Sequence, residues 1–227
     1  MSATLLSPHS GPPGRAGILG WPPRQELPRL LLMSLFFSLL FNAVYWGADY
    51  YAGTLATRHR VDFAFEAWIP FLPWMSVIYL SISPLLMLLP CVLRSAKAAM
   101  PVFATLCTQV VVAGLIFMLF PVELGYRDPA VTGLAAIPFS AAKAINLTYN
   151  NVPSLHVAFS LTAALVLTRA GGMAWRQFIW VWTTLIVIST LLTHQHHLVD
   201  VAAGAILSWA TMPLVLARLE RRAGPVS

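Results

Sequence analysis

The sequence predicts an all-α membrane protein, a bundle of six transmembrane helices with both termini in the cytoplasm. Three observations lead to this prediction. Of the 227 residues, 58% are hydrophobic and only 10% are charged, and the apolar residues gather in long stretches. A soluble domain carries about 25% charged residues. The composition does not shift along the body of the chain, so we expect one domain.

The N-terminal region is rich in proline and glycine and shows no regular apolar pattern. We therefore expect residues 1–28 to form a flexible tail, residues 29–217 a six-helix catalytic domain in the membrane, and residues 218–227 a short basic cytoplasmic tail. The apolar run that starts at Leu30 is long for a signal peptide. We expect it to be retained as the first span.

Six apolar stretches approach the length of about 20 residues that a helix needs to cross a bilayer. They are residues 30–47, 68–93, 101–124, 153–167, 175–193 and 198–216. The second contains four prolines, and we expect it to be kinked or partly re-entrant. The fourth is short, and we expect it to continue through Arg169. Gly204 on the sixth should let a neighbouring helix pack closely.

The distribution of positive charge predicts the orientation, because cytoplasmic loops are enriched in Lys and Arg. One side holds ten of these residues, namely Arg15, Arg24, Arg29, Arg94, Lys97, Arg169, Arg176, Arg218, Arg221 and Arg222. The other side holds Arg58, Arg60, Arg127 and Lys143. The first side is therefore assigned to the cytoplasm. His156 and His196 then face the opposite, extracytoplasmic side, together with the loop over residues 123–152.

His156, His196 and Asp200 are the candidate catalytic residues. An aspartate at the centre of a membrane helix costs on the order of 2.5 to 3.5 kcal/mol, so its presence indicates a function. His196 and Asp200 are four residues apart, neighbours on one helical face, and the carboxylate can accept the Nδ1 proton of the ring. This leaves Nε2 as a nucleophile. His156 can protonate a leaving oxygen and then deprotonate the entering water or alcohol.

Two segments resemble the second and third signatures of the type 2 phosphatidic acid phosphatase superfamily. The second signature is P-S-G-H, and here it is Pro153-Ser154-Leu155-His156. The third is S-R, five residues, His, three residues and Asp, and it matches from Ser189 to Asp200 except that threonine stands for arginine. The leucine in P-S-L-H and the run Thr193-His194-Gln195-His196, which ends at the histidine of the third signature, resemble the branch of inositol phosphorylceramide synthases. These are inositolphosphotransferases, and sphingomyelin synthases share their triad.

The resemblance implies a role for each motif residue. His196 would be phosphorylated, Asp200 would orient it, and His156 would act as acid and base. The substrate-binding residues would be Ser154, also the N-cap of its helix, with Ser189, Thr190, His194 and Arg127. Arg127 lies in the nearest remnant of the first signature, Lys, six residues, Arg-Pro. The family is metal-independent, and we expect no cofactor.

The departures from the signatures affect the expected substrate. Without the arginine at Thr190, the cationic clamp for a dianionic phosphate monoester is weaker, since arginine supplies paired donors. This favours transfer of a phosphorylated head group from a membrane phospholipid to an acceptor alcohol, with hydrolysis of a lipid phosphate as the alternative. Lys143, His194 or His197 can restore a positive charge.

Other functions stay open. His194, His196 and His197 with Asp200 have the ligand types for zinc, and a catalytically silent lipid carrier is a third alternative. The positive charges form no long basic stripe, so we expect no nucleic-acid partner. Short loops favour a bacterial inner membrane, with the active site on the periplasmic side. The sequence does not predict the oligomeric state.

Overall fold

The chain folds into helices joined by short 3-10 turns and loops. A computed structural model describes residues 19–126 and 129–223, and for residues 214–223 the backbone alone. The α-helices are α1 Leu27–Thr54, α2 Ser76–Leu80, α3 Ile82–Val92, α4 Ala96–Leu119, α5 Ala136–Ile145, α6 Leu155–Leu167, α7 Met173–Leu192 and α8 Leu198–Ala223. Within the described residues β-structure is limited to isolated bridges. The all-α prediction is confirmed.

Four helical segments of the described chain are long and apolar enough to cross a membrane: Arg24–Thr54, Pro73–Val92, Ala96–Leu119 and Met173–Leu192. They lie at the predicted first, second, third and fifth spans. Shorter apolar helices, Leu155–Leu167 and Leu198–Pro213, lie at the fourth and sixth. These helices indicate an integral membrane protein. The count of six spans and the cytoplasmic termini remain predictions.

Two predicted spans differ locally from expectation. The fourth ends at Leu167 rather than continuing through Arg169, because the chain turns after Thr168 and the Trp175 indole N–H donates to the Leu167 carbonyl at 2.7 Å. The second is broken at Ser81, between α2 and α3. The ring of Pro84 would clash with the carbonyl four residues earlier in a continuous helix, so the predicted kink has a local cause.

Helix α4 packs along α1 and against α6 and α8, and α6 also contacts α3 and α7. Large apolar side chains of α1 point outward, as expected for a face in contact with lipid: Leu31, Leu32, Leu35, Phe36 and Leu39. In the core, the Gln109 amide donates to Thr162 on α6 and Thr211 on α8, at 2.7 and 2.8 Å. These bonds join the three central helices.

A close contact between α6 and α8 forms at Gly204, as predicted. A Cβ atom added there would lie 2.4 Å from the Ser154 carbonyl oxygen, closer than real Cβ contacts. The N-terminus of α6, the C-terminus of α7 and the N-terminus of α8 thus meet at one end of the bundle. The loop over residues 123–152 contributes the short helix α5 beside α2.

Candidate active site

His196 and Asp200 form the predicted pair at the start of α8. The His196 Nδ1 lies 3.2 Å from Asp200 Oδ2, and the side chains are 2% and 0% exposed. The same carboxylate oxygen accepts the backbone N–H of His197 at 2.8 Å. Asp200 is the third residue of α8, so its side chain can accept the backbone N–H of the residue that precedes the helix. The contact suits the tautomer in which Nδ1 donates to the carboxylate and Nε2 carries the lone pair.

The end of α7 sets the direction of His196. His194 adopts the left-handed conformation, with φ of 54°, and its N–H donates to Leu191 O at 3.0 Å. The N–H groups of Gln195 and His196 both donate to the Thr190 carbonyl at 3.1 Å. This bond pattern is a Schellman helix end, in which the residue with positive φ reverses the chain. The reversal brings His196 back against the last turn of α7.

The segment that resembles the second signature, Pro153–His156, contacts the segment that resembles the third, Ser189–Asp200, through its backbone. The Ser154 N–H donates to the Asp200 carbonyl at 3.0 Å, and the Ser154 hydroxyl caps α6 by accepting the Val157 N–H at 3.4 Å. The ring centroids of His156 and His196 are 6.1 Å apart. The two predicted catalytic histidines therefore lie in one site.

Tyr79 on α2 holds the ring of His156. Its hydroxyl lies 3.3 Å from His156 Nδ1. Because a hydroxyl can both donate and accept, this contact suits the imidazole in either tautomer and the imidazolium. With His156 Nδ1 facing the Tyr79 hydroxyl and His196 Nδ1 facing Asp200, the Nε2 atom is the second nitrogen of each ring. These two nitrogens are the chemically available positions of the site.

Both rings line a cavity of about 80 Å³. This volume is larger than the space that one water molecule occupies. Apolar residues of α1, α3, α5 and α6 form most of its wall: Phe41, Ile82, Leu86, Ile145, Leu155 and Phe159. Tyr45 and Asn150 complete it. The cavity therefore places two imidazoles beside an apolar surface.

Asn150, which lies shortly before Pro153-Ser154-Leu155-His156, also lines this cavity. Its amide N–H donates to the Tyr45 carbonyl, so this group is occupied. Its Oδ1 is buried and has no partner among the described residues. The Asn150 donor is thus engaged, and Oδ1 is the atom of this side chain that is left without a partner among the described residues.

The predicted substrate-binding hydroxyls lie near the pair but are engaged with the backbone. Ser189 and Thr190 donate to the Ile186 and Val187 carbonyls, each at 2.7 Å. Arg127 lies outside the described residues. Contact of Ser154, Ser189 and Thr190 with a substrate remains a prediction.

His194 is held by neighbours of its own. Its Nε2 lies 3.0 Å from the Ile69 carbonyl, and its ring is parallel to that of Tyr126 at 4.0 Å. Partial burial lowers the pKa of His194, although the bond to Ile69 opposes this change. The ring is therefore neutral at pH 7 and adds no positive charge to the site. Its role in substrate binding remains a prediction.

His197, like His194, provides no charge. Its Nε2 accepts the Gly125 N–H at 2.9 Å, and its Nδ1 lies 2.7 Å from Glu66 Oε2. A ring that accepts at one nitrogen and donates at the other is the neutral tautomer with the proton on Nδ1. Of Lys143, His194 and His197, the three candidates to restore a positive charge, Lys143 on α5 is the one that remains.

Glu66 is the main residue that the sequence interpretation missed. It is 1% exposed and lies in the loop between α1 and α2, distant in sequence from both motifs. A signal was present, since Glu66 is a single carboxylate within the run Phe63-Ala64-Phe65-Glu66-Ala67-Trp68. The argument that singled out Asp200, a charge among apolar neighbours, applies equally to Glu66.

In the described part of the chain, no three His, Cys, Asp or Glu side chains are placed to hold a metal ion. These residues therefore provide no ligand set for the zinc alternative. The rings of His196 and His197 are adjacent in sequence but turn to different carboxylates, Asp200 and Glu66. Four ligands around one ion are needed for a structural zinc site. The observed pairs separate the ligands instead.

Comparison with known proteins identifies a family. A sequence model of the PAP2 superfamily matches residues 78–223, which include both motifs and more than half of the chain. No curated protein and no solved structure matches the chain.

Proposed function

The chain belongs to the PAP2 superfamily, and we propose that it is an integral membrane phosphotransferase that moves phosphorylated head groups of lipids through a phosphohistidine intermediate. Family membership by itself supports the coarser statement, a phosphatase or phosphotransferase that acts on lipid phosphates. The observation that supports the finer proposal best is the His196–Asp200 pair beside His156 in a cavity with apolar walls.

In the first step, the His196 Nε2 lone pair attacks the phosphorus of the donor lipid. The bond from phosphorus to the leaving oxygen breaks as the P–N bond forms, and protonated His156 gives its proton to that oxygen. Asp200 accepts the Nδ1–H of His196 and stabilises the positive charge that develops on the ring. The products are the phosphorylated His196, neutral His156 and the released alcohol.

In the second step, the acceptor hydroxyl loses its proton to His156 and attacks the phosphorus. The P–N bond breaks, its electron pair returns to Nε2, and His196 and protonated His156 are restored. With a diester donor, an alcohol acceptor gives a new phosphodiester and water gives the phosphate monoester of the head group. With a monoester donor, water gives inorganic phosphate. One pair of histidines therefore serves both transfer and hydrolysis.

A phosphodiester donor agrees with the charges around the site. Thr190 replaces the arginine of the third signature, and His194 and His197 are neutral. A diester carries one negative charge and needs fewer cationic donors than a dianionic monoester. We include in this proposal the branch related to inositol phosphorylceramide synthases, a bacterial inner membrane, and an active site on the periplasmic side.

Hydrolysis is the second candidate, and Asn150 favours it. A water molecule that gives one hydrogen to His156 has a second hydrogen for another acceptor in the cavity, whereas a simple alcohol has none. Asn150 lines the cavity and its Oδ1 has no partner among the described residues, so this oxygen would be such an acceptor when the side chain turns toward the cavity. This observation supports a lipid phosphatase that works by the same two steps.

Turnover of labelled lipid by the purified protein in detergent tests the proposal. Phosphate-labelled monoester and diester lipids are supplied with and without acceptor alcohols, and His196→Ala is compared with His59→Ala, at a histidine whose ring stacks on Phe120. Head-group transfer that is lost only in His196→Ala is expected. Release of free phosphate from the monoester alone would establish the phosphatase, and absence of product from every donor would favour the silent carrier.

A further inference from the structure

We propose that Glu66 is a positioning residue for this reaction and acts on the His196–Asp200 pair through His197. The inference rests on the proposed function and extends it to a residue outside both motifs. It depends on a continuous set of hydrogen bonds from the loop between α1 and α2 to the nucleophile.

The local structure turns the Glu66 carboxylate toward α8. Residues Ala64–Trp68 form one 3-10 turn, and Glu66 Oε1 accepts the Phe63 N–H at 3.1 Å. The side chain reaches back to the residue before its own turn, as in a capping box. With Oε1 occupied, the second oxygen points away from the turn.

The second oxygen accepts donors from two other parts of the chain. Oε2 lies 2.7 Å from His197 Nδ1, 3.2 Å from the Tyr126 hydroxyl and 3.3 Å from the Leu198 N. Each of these groups can donate to the Glu66 carboxylate, and an ionised carboxylate suits them because it has only acceptors. The negative charge also lies at the N-terminus of α8, where the helix dipole stabilises it.

His197 is fixed from several directions. Glu66 accepts from one ring nitrogen, Gly125 donates to the other at 2.9 Å, and the Tyr126 ring lies parallel at 4.3 Å. The backbone N–H of His197 then donates to Asp200 Oδ2, the oxygen that also contacts His196. A change in the orientation of His197 would therefore move the Asp200 oxygen that contacts His196.

The Tyr126 contact links a third segment to this set. Gly125 and Tyr126 immediately precede Arg127, the residue that resembles the remnant of the first signature. Through His197 and the Tyr126 hydroxyl, Glu66 holds the chain just before that residue against the start of α8. One carboxylate thus connects the segment that leads to Arg127 with the motif that carries the nucleophile.

Glu66→Gln tests the proposal because it keeps the shape and removes the charge. An amide has one oxygen and one NH₂ group, so a donor faces a donor at one end of the side chain in either orientation. We expect kcat to fall on the order of 10- to 100-fold, the size expected for a small displacement of a catalytic group, with KM changed less than about twofold. Glu123→Gln is the matched control, since that carboxylate contacts Arg58 on the surface.

A second readout does not require turnover. In the full chain with ¹⁵N-labelled histidine in detergent, imidazole signals report the tautomer of each of the six histidines, assigned with His196→Gln and His197→Gln. We expect His197 to carry its proton on Nδ1, and Glu66→Gln to change the signals of both His197 and His196. Unchanged His196 signals would overturn the proposal, whether or not any lipid is turned over.

The remaining outcomes also decide the question. A Glu66→Gln protein that melts at lower temperature but keeps the wild-type kcat below that temperature would show that Glu66 only stabilises the fold. If Glu66→Gln does not fold, Tyr126→Phe removes a single donor from the same oxygen, and kcat should fall about 2- to 5-fold. Wild-type kcat and wild-type His196 signals in Tyr126→Phe would overturn the proposal. Failure of the proposed function would appear separately, as a wild-type protein without turnover on any lipid.

Discussion

Ser154 and Asp200 are joined backbone to backbone: the Ser154 N–H donates to the Asp200 carbonyl at 3.0 Å. Each residue belongs to a different motif, and each also acts at the start of its own helix. Ser154 caps α6 with its hydroxyl, and Asp200 accepts from the residue before α8. The relative position of the two catalytic histidines therefore depends on the contact between two helix N-termini.

Gly204→Ala should disrupt this contact. The new Cβ would meet the Ser154 carbonyl at 2.4 Å, a backbone atom that cannot move aside as a side chain does. We expect a loss of stability of about 1 to 3 kcal/mol and a larger loss of turnover, because α6 and α8 separate where the site lies. Gly47→Ala is the control, since an added Cβ there meets nothing within 4 Å. Equal melting temperatures for the two variants in detergent would contradict the prediction.

Asp200→Asn should abolish most turnover while the protein stays folded. Because His196 Nδ1 and the His197 N–H both contact Oδ2, an asparagine that keeps its oxygen there loses the negative charge that stabilises the imidazolium, and one that turns its NH₂ group there sets a donor against the His197 N–H and disturbs His196. We expect kcat/KM to fall about 100- to 10,000-fold, as for the corresponding change in a serine protease triad. Asp62→Asn, at a carboxylate that pairs with Arg60, should retain activity. An Asp200→Asn enzyme with more than half of wild-type kcat/KM would refute the assigned role.

His156→Gln should separate the two steps of the reaction. A donor with an aryl leaving group needs no proton from the enzyme, so attack by His196 can proceed, whereas release requires a base for the entering hydroxyl. We expect the labelled phosphohistidine to accumulate in His156→Gln with this donor and not with an alkyl phosphate. The label is measured on the denatured protein, and His196→Ala should show none. Equal labelling of the two variants would exclude His196 as the nucleophile.

The stability of the protein should depend on the protonation of His194 in mild acid. Burial lowers the pKa of His194 in the folded state, so below its ordinary value of about 6.5 the unfolded chain binds a proton that the folded chain does not. The free energy of unfolding then falls as the pH falls below that value. His194→Asn keeps a residue that tolerates positive φ and should show a shallower fall in melting temperature between pH 7 and 5. An equal slope in the two proteins would contradict this prediction.

Excess chelator should leave turnover unchanged. The proposed steps use His156, His196 and Asp200, and the adjacent His197 is bound to Glu66 rather than turned toward the same point. The measurement is initial rate on labelled lipid before and after incubation with EDTA, with magnesium or zinc added back. A loss that zinc alone restores would support the metal alternative for these histidines.

The sequence by itself determined the features that depend on local spacing. The length and composition of the apolar stretches predicted the four helices that are long and apolar enough to cross a membrane. Helix formation and burial in lipid depend on the composition of one short segment at a time. The spacing of His196 and Asp200 predicted their contact, because residues four apart are neighbours on any helix. Ser154 was predicted as an N-cap for the same local reason.

Only the tertiary structure decided which distant groups meet these motifs. Glu66, Tyr126 and Asn150 reach the site from loops, and no spacing within the chain predicts that the Glu66 carboxylate faces His197. Contacts between segments far apart in sequence depend on how all the helices pack, and a pattern within one segment carries no information about its partner.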